Sequence, residues 1–313
     1  MLVYVIFIVS LAVLIYGADL IVGESEKIAI KFGISEYVIG ATLVALGTSL
    51  PEMAASINAS INSKPELSIS NIVGSNIINI SLVLGIIIVL AKGEIKASNF
   101  LQKDSAWALF PVLIFIIIIL NGEINRFNGF ILILIMIAYV IFLLRNNKDA
   151  LDAPDNAEES LEKFNWAKTS ILLILGFVMV VYGADFTIDS AAKIAKSFGV
   201  SDWVVGVILV ALGTSMPELV VSISATLQGK ANMAIGNIIG SNVANISIAL
   251  GAAAVANPIK LDFYKYLFDI TTMLIVTLIL VFVNTNRMYS RAIGIILLLI
   301  FTVFIEHSSH AIL

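Results

Sequence analysis

At 313 residues, 59% hydrophobic and only 13% charged, with a mean hydropathy of +1.03, the chain is too apolar for an ordinary water-soluble domain. Its net charge of −4 is small and spread out, so nothing in it points to a nucleic-acid partner. It has no cysteine, which excludes disulfides, thiol chemistry and thiolate metal sites and says nothing about compartment.

Taken in chain order, apolar runs long enough to cross a bilayer recur throughout. The first, at 2–20, has no basic stretch before Leu2–Leu14 and no small-residue cleavage site, so it reads as a retained span and not a signal peptide. Spans follow at 36–61, 67–90, 105–121 and 127–145. The one long polar stretch, 146–165, is rich in Asp, Glu, Asn and Pro and reads as a solvated linker. Five further spans follow at 168–187, 202–227, 232–256, 267–284 and 289–306. The expected organisation is thus a five-helix unit at 1–145, a linker at 146–165 and a second five-helix unit at 166–313.

The two units are copies of one another. Tyr16-Gly17-Ala18-Asp19 matches Tyr182-Gly183-Ala184-Asp185, an offset of 166 residues. The same offset relates Leu43–Ser49 to Leu209–Ser215, Gly74-Ser75-Asn76 to Gly240-Ser241-Asn242, and Asn79-Ile80-Ser81 to Asn245-Ile246-Ser247. From Tyr16 to Gly85 no gap is needed and about half of the positions are identical, Asp, Asn, Ser, Pro and Glu among them. Hydrophobicity alone does not produce that. An odd number of spans per copy forces the second copy to enter the membrane upside down, the inverted-repeat plan in which substrate sites lie near the midplane. The expected fold is therefore all-α: a polytopic membrane protein of ten transmembrane helices in two inverted five-helix repeats. Six of the 18 Lys and Arg fall on one side of such a topology and twelve on the other. The richer side is expected to be cytoplasmic, with both termini outside and the linker inside.

Glu52 in Gly47-Thr48-Ser49-Leu50-Pro51-Glu52 and Glu218 in Gly213-Thr214-Ser215-Met216-Pro217-Glu218 sit in the middle of apolar spans. An acid at the centre of a membrane helix costs roughly 2.5–3.5 kcal/mol. No Lys or Arg lies in the interior of any span to pair with either one, so the expected compensation is a cation from solution. Pro51 and Pro217 each remove a backbone hydrogen bond, and the carbonyls of Ala45, Thr48, Ala211 and Thr214 are expected to be freed as ligands. Thr48 and Ser49 share a helix face with Glu52, as Thr214 and Ser215 do with Glu218. In the following spans Asn71, Ser75 and Asn79, repeated as Asn237, Ser241 and Asn245, form polar stripes. All of these are hard oxygen donors, suited to Ca²⁺ or Na⁺, whereas zinc, copper and iron usually recruit His or Cys. Two carboxylates balance one Ca²⁺ or two Na⁺. Competition at such a site, combined with alternating access, yields exchange.

The paired Ala-Leu-Gly-Thr-Ser-x-Pro-Glu motifs, each followed by Gly-Ser-Asn-x-x-Asn, resemble the two alpha repeats of the sodium/calcium exchanger family. The resemblance covers 36–90 and 202–256 and extends to the ten-span layout. It implies ion ligands at Glu52, Thr48, Ser49, Ala45, Ser75 and Asn79, and at Glu218, Thr214, Ser215, Ala211, Ser241 and Asn245. It also implies electrogenic exchange of several Na⁺ for one Ca²⁺, with the first span of each half sliding to switch access. Some relatives, potassium-dependent exchangers among them, carry Asp where this chain has Asn79 or Asn245, so potassium dependence is not expected. The Gly-Asn-x-x-Glu pattern of proton/calcium relatives fits poorly, since Gly240 follows Gly236-Asn237-Ile238-Ile239 and Ser70 precedes Asn71. The linker is too short for the large calcium-sensing domain of the eukaryotic exchangers.

Simpler readings stand beside these. Small polar residues such as Ser49, Ser75, Ser215 and Ser241 are ordinary glue between membrane helices. Asn71 and Asn237 read as packing groups more than as ligands. Asp19 and Asp185 fall near expected span ends and read as interfacial or hinge residues. His307 and His310 read as solvated, and Asn58, Asn79 and Asn245 lie too deep for the glycosylation their Asn-x-Ser triplets suggest. The expected function is a secondary antiporter and not an enzyme. Its transported ions are Ca²⁺ and Na⁺, no organic cofactor is expected, the lipid bilayer is its surroundings, and one chain is the working unit. The alternatives are an H⁺-coupled Ca²⁺ antiporter using the same acids, a calcium channel, and a non-transporting membrane receptor, which leaves the buried acids unexplained.

Overall fold

The computed structural model describes residues 2–91, 99–146, 164–200 and 213–310. Helix α1, Leu2–Phe32, is followed by α2, Glu36–Thr48, and α3, Leu50–Ile61, which meet at a 46° bend. Helices α4, Pro65–Leu90, α5, Asn99–Ile119, and α6, Arg126–Asn146, complete the chain before the linker. After it come α7, Trp166–Ser197, α8, Met216–Leu227, α9, Ala231–Ala256, α10, Leu267–Asn286, and α11, Arg291–His310. A two-stranded antiparallel ribbon pairs β1, Glu123–Ile124, with β2, Ile259–Lys260.

Seven helices are long and apolar enough to cross a membrane, or eight if the bent α2–α3 pair is one span, counted over the described residues. Two expected spans are met by shorter apolar helices, Ser105–Ile119 within α5 and Met216–Leu227. Residues 201–212, which open the expected span at 202–227, lie outside the described residues. Large apolar side chains such as Ile117, Phe127, Leu134, Ile171 and Leu299 point outward. In water such a surface is untenable; in lipid it is the expected exterior. The chain is a multi-pass membrane protein.

The helices of the first and sixth expected spans extend beyond them. Helices α1 and α7 run to Phe32 and Ser197 because polar residues beyond the apolar stretch, Glu24 and Ser25 in α1 and Ser190 in α7, turn inward and are buried. At 31 residues α1 is about 46 Å long, more than the roughly 30 Å hydrocarbon core. Asp19 and Asp185 therefore lie within long helices and not near their ends.

Burial identifies the centre. Within their apolar windows α4 and α9 are 78% and 83% buried, against 17–39% for the other five spans. Around them the contacts are reciprocal under the 166-residue offset. Helix α6 packs on α9 and α11 on α4, through the glycine pairs Gly129–Gly251 and Gly294–Gly85, whose missing side chains let the backbones touch. Equivalent helices α5 and α10 pack together. The largest contact joins α1 to its equivalent α7. There Gly17 meets Gly176, Leu14 meets Gly183, and the Thr187 hydroxyl donates to Ser10 Oγ at 2.9 Å. As residue numbers fall along α1 they rise along α7, so the two helices are antiparallel.

Candidate cation-binding site

The Gly-Thr-Ser-x-Pro-Glu segments break two helices in the same way. Ser49, with φ −83° and ψ 5°, ends α2, and Ser215, with φ −85° and ψ 4°, precedes α8. Pro51 and Pro217 then occupy the first turn of α3 and α8, where a missing N–H costs nothing. Glu52 and Glu218 lie in the same first turns, where the helix dipole favours negative charge. Proline thus starts a helix here and does not interrupt one. The residue four before Pro51 is Gly47, so the expectation that Pro51 frees the Ala45 carbonyl needs correcting. The Ser49 N–H donates to Ala45 O at 3.1 Å. Ala45 is presented by a different device, a π-helical turn over Gly40–Val44 that ends on it. Similar π turns begin at Asn79 and at Asn245, just where each polar stripe meets the site.

The two halves meet at these breaks. The Ser49 hydroxyl donates to Glu218 Oε1 at 2.9 Å, across 169 residues of chain. Both carboxylates are fully buried, and they lie close enough to repel one another. Thr48 and Ser241 border Glu218, and Thr214 borders Glu52. Neither oxygen of Glu52, nor Oε2 of Glu218, has a hydrogen-bond partner among the described residues. The Thr48 hydroxyl donates to Asn237 Oδ1 at 3.1 Å and lies 3.3 Å from Ala45 O. Its equivalent Thr214 donates to Asn71 Oδ1 at 3.2 Å and shares a 3.2 Å contact with Ser75 Oγ. Ser241 Oγ lies 3.5 Å from Ala45 O.

Among the residues expected as ligands, Glu52, Glu218, Thr48, Thr214, Ser49, Ser75, Ser241 and Ala45 are thereby brought together. Ser215 is buried nearby with its hydroxyl unpaired among the described residues. Ala211 lies outside the described residues. Asn79 and Asn245 are fully buried, but their links differ. The Asn79 amide donates to Asn242 Oδ1 at 3.0 Å and leaves its own oxygen unpaired, whereas neither polar atom of Asn245 has a partner among the described residues. Sequence reasoning passed over Ser56 and Ser222, which accept from the Asn71 and Asn237 amides at 2.8 and 3.0 Å. Their signal was present: each lies four residues after a buried Glu, on the same face, in both copies.

Buried carboxylate and amide oxygens without hydrogen-bond donors carry a large desolvation cost. A cation bound between them removes it, and carboxylate, hydroxyl, amide and carbonyl oxygens are the donors that Ca²⁺ and Na⁺ take. Among the described residues no three His, Cys, Asp or Glu side chains cluster together.

Comparison with known proteins agrees with this chemistry. The sodium/calcium exchanger protein family matches residues 2–145 and 168–309. The sodium/calcium exchanger MaX1 of Methanosarcina acetivorans is 34% identical over 96% of this chain and 97% of its own length. An inner membrane protein of Escherichia coli, YrbG, is 30% identical over 93% of this chain and 92% of its own length. A solved structure of the sodium-calcium exchanger NCX_Mj, soaked with Na⁺ and Ca²⁺, superposes with a TM-score of 0.81 at 34% identity, covering 98% of both chains. This chain belongs to the sodium/calcium exchanger protein family.

Proposed function

We propose that the protein is a secondary active antiporter that exchanges Na⁺ for Ca²⁺ by alternating access, with Glu52 and Glu218 as the charged ligands of one shared site. The observation that carries this reading is the meeting of two buried carboxylates, one from each half, with three of their oxygens unpaired and no ion-pair partner for either among the described residues. Thr48, Ser49, Thr214, Ser215, Ser75, Ser241, Asn79 and Asn245, with the carbonyls of Ala45 and Ala211, complete the oxygen shell. Two negative charges match one Ca²⁺ or two Na⁺, so the ions compete.

Ten spans in two inverted repeats, 1–145 and 166–313, form the frame, with the linker at 146–165. The antiparallel packing of α1 on its equivalent α7, and the reciprocal α6–α9 and α11–α4 contacts, support this. The richer share of Lys and Arg on the linker side favours a cytoplasmic linker and outward termini. One chain holds both half-sites and is the working unit.

The test uses liposomes containing the purified protein, loaded with Na⁺ and diluted into Na⁺-free buffer with radioactive Ca²⁺. Uptake driven by the Na⁺ gradient is expected, and Glu52→Gln and Glu218→Gln are each expected to abolish it. Uptake driven by a pH gradient without Na⁺, or downhill flux needing no counter-ion, would overturn Na⁺ coupling. Wild-type transport by either variant would sink the site.

A further inference from the structure

The two threonines of the site share an arrangement that ion binding alone does not require. Thr48 donates to Asn237 Oδ1, the nearer of its two acceptors at 3.1 Å against 3.3 Å for Ala45 O, and the Asn237 amide donates to Ser222 Oγ at 3.0 Å. Thr214 donates to Asn71 Oδ1, and the Asn71 amide donates to Ser56 Oγ at 2.8 Å and to Glu52 O at 3.1 Å. Each chain starts on the bent segment of one half, crosses to the central helix of the other, and ends on the helix that carries that half's Glu. The chains are equivalent under the 166-residue offset: one links α2, α9 and α8, the other links Thr214, just before α8, to α4 and α3. Ser56 and Ser222 are fully buried and Asn237 almost so.

A hydroxyl has one hydrogen and two lone pairs. Beside a carboxylate in a dry site its natural use is to donate that hydrogen inward, which places positive charge where a cation must sit. An acceptor on the outer side draws the hydrogen away and frees a lone pair for the centre. An asparagine acts in this way only if its oxygen, and not its NH₂, faces the threonine. The Glu52 carbonyl, which can only accept, fixes that choice for Asn71, and the Ser56 and Ser222 hydroxyls accept from the two amides in the same orientation.

We propose that Asn71 and Asn237 are positioning residues that convert Thr214 and Thr48 into oxygen-only ligands, with Ser56 and Ser222 holding the amides in the required orientation. This rests on the proposed exchange site and goes beyond it. It assigns a role in ion affinity to residues that otherwise read as helix-packing groups, and it makes each half's ligand depend on the other half's asparagine.

The test is a double-mutant cycle in the full-length protein, using Asn237→Leu, Thr48→Val and the pair together, read as the KM for Ca²⁺ in Na⁺-driven uptake. Loss of one such hydrogen bond is expected to raise KM about tenfold with maximal rate within about twofold. In the Thr48→Val background, Asn237→Leu is expected to add less than about twofold, because it acts through Thr48. Multiplying losses, or an unchanged KM in Asn237→Leu, would overturn the proposal. The reciprocal cycle of Asn71→Leu with Thr214→Val must behave alike, and it decides the matter if Asn237→Leu does not fold.

The Ca²⁺-induced rise in Tm in detergent separates the two levels. If wild-type protein shows no Na⁺-driven uptake but Ca²⁺ raises its Tm, the exchange reading fails and the cycle is read from the midpoint of that rise. If Ca²⁺ produces no shift and no uptake, both fall.

Discussion

Replacing Gly240 by alanine tests whether the site depends on backbone contact between α2 and α9. A β-carbon built on Gly240 would lie 2.3 Å from the Ala41 carbonyl oxygen and 2.7 Å from its Cα and carbonyl carbon. Ordinary contact begins near 3.4 Å, and the opposing atoms are backbone, so no rotamer change relieves the clash. The helices must separate by about 1 Å, at a cost of about 1–3 kcal/mol. The better helix propensity of alanine returns at most about 1 kcal/mol. Gly236 is equally closed, its β-carbon falling 2.3 Å from Tyr37 O, so α2 has no room to slide along the Gly-x-x-x-Gly face. Ser241, next to Gly240, reaches Ala45 O only at 3.5 Å already. The displacement therefore pulls the proposed ligands of opposite halves apart, and an ångström of misplacement lowers activity by up to about a hundredfold. Gly240→Ala should lower Tm and raise the KM for Ca²⁺ by at least about tenfold in the liposome assay. Gly23→Ala is the matched control, because nothing among the described residues lies within 4 Å of its β-carbon. A Gly240→Ala protein with wild-type Tm and KM would refute the reasoning.

Three further outcomes follow from contacts between the halves. Glu52→Gln and Glu218→Gln should abolish Na⁺-driven Ca²⁺ uptake while leaving the protein folded, as judged by size-exclusion chromatography; retained uptake counts against the shared site. Lys230–Glu26 is a half-buried ion pair joining α1 to the start of α9, whereas Lys265–Glu66, at 2.8 Å, is exposed on both sides. A double-mutant cycle on the first should give about 1 kcal/mol of coupling, and raising salt should leave most of it. The same cycle on Lys265–Glu66 should give no measurable change in Tm. Asp19 accepts from Ser224 Oγ at 2.6 Å and Gln228 Nε2 at 3.1 Å, tying α1 to the end of α8. Asp19→Ala should therefore cost about 1 kcal/mol in chemical denaturation, and Asp19→Ala with Ser224→Ala should cost little more than either alone.

Much of the site was legible because duplication wrote it twice. The Glu of each Pro-Glu pair, the Thr-Ser before it and the Ser-Asn stripe after it recur at one offset, and chance apolar sequence does not repeat Asp, Asn and Glu in register. Hydrophobic length located the spans, since crossing a bilayer is a local requirement. Length was also where the reading failed. Apolar runs mark contact with lipid, whereas α1 and α7 continue as helices where Glu24, Ser25 and Ser190 turn inward, a matter decided by neighbours and not by the helix itself.

The role of proline was misjudged for the same reason. Pro51 read alone is a helix breaker, but Ser49 had already ended α2, and in the first turn of α3 proline is favourable. The π turns at Gly40–Val44, Asn79–Leu84 and Asn245–Ala249 have no sequence signature and arise where one helix must fit against another. The sequence by itself determined the medium, the duplication and the oxygen chemistry, because each depends on residue type and spacing within one segment. Only the tertiary structure decided that Ser49 reaches Glu218 and that Thr48 and Thr214 each lean on an asparagine of the opposite half. Those contacts span 143–189 residues of chain, and nothing local sets the distance between their ends.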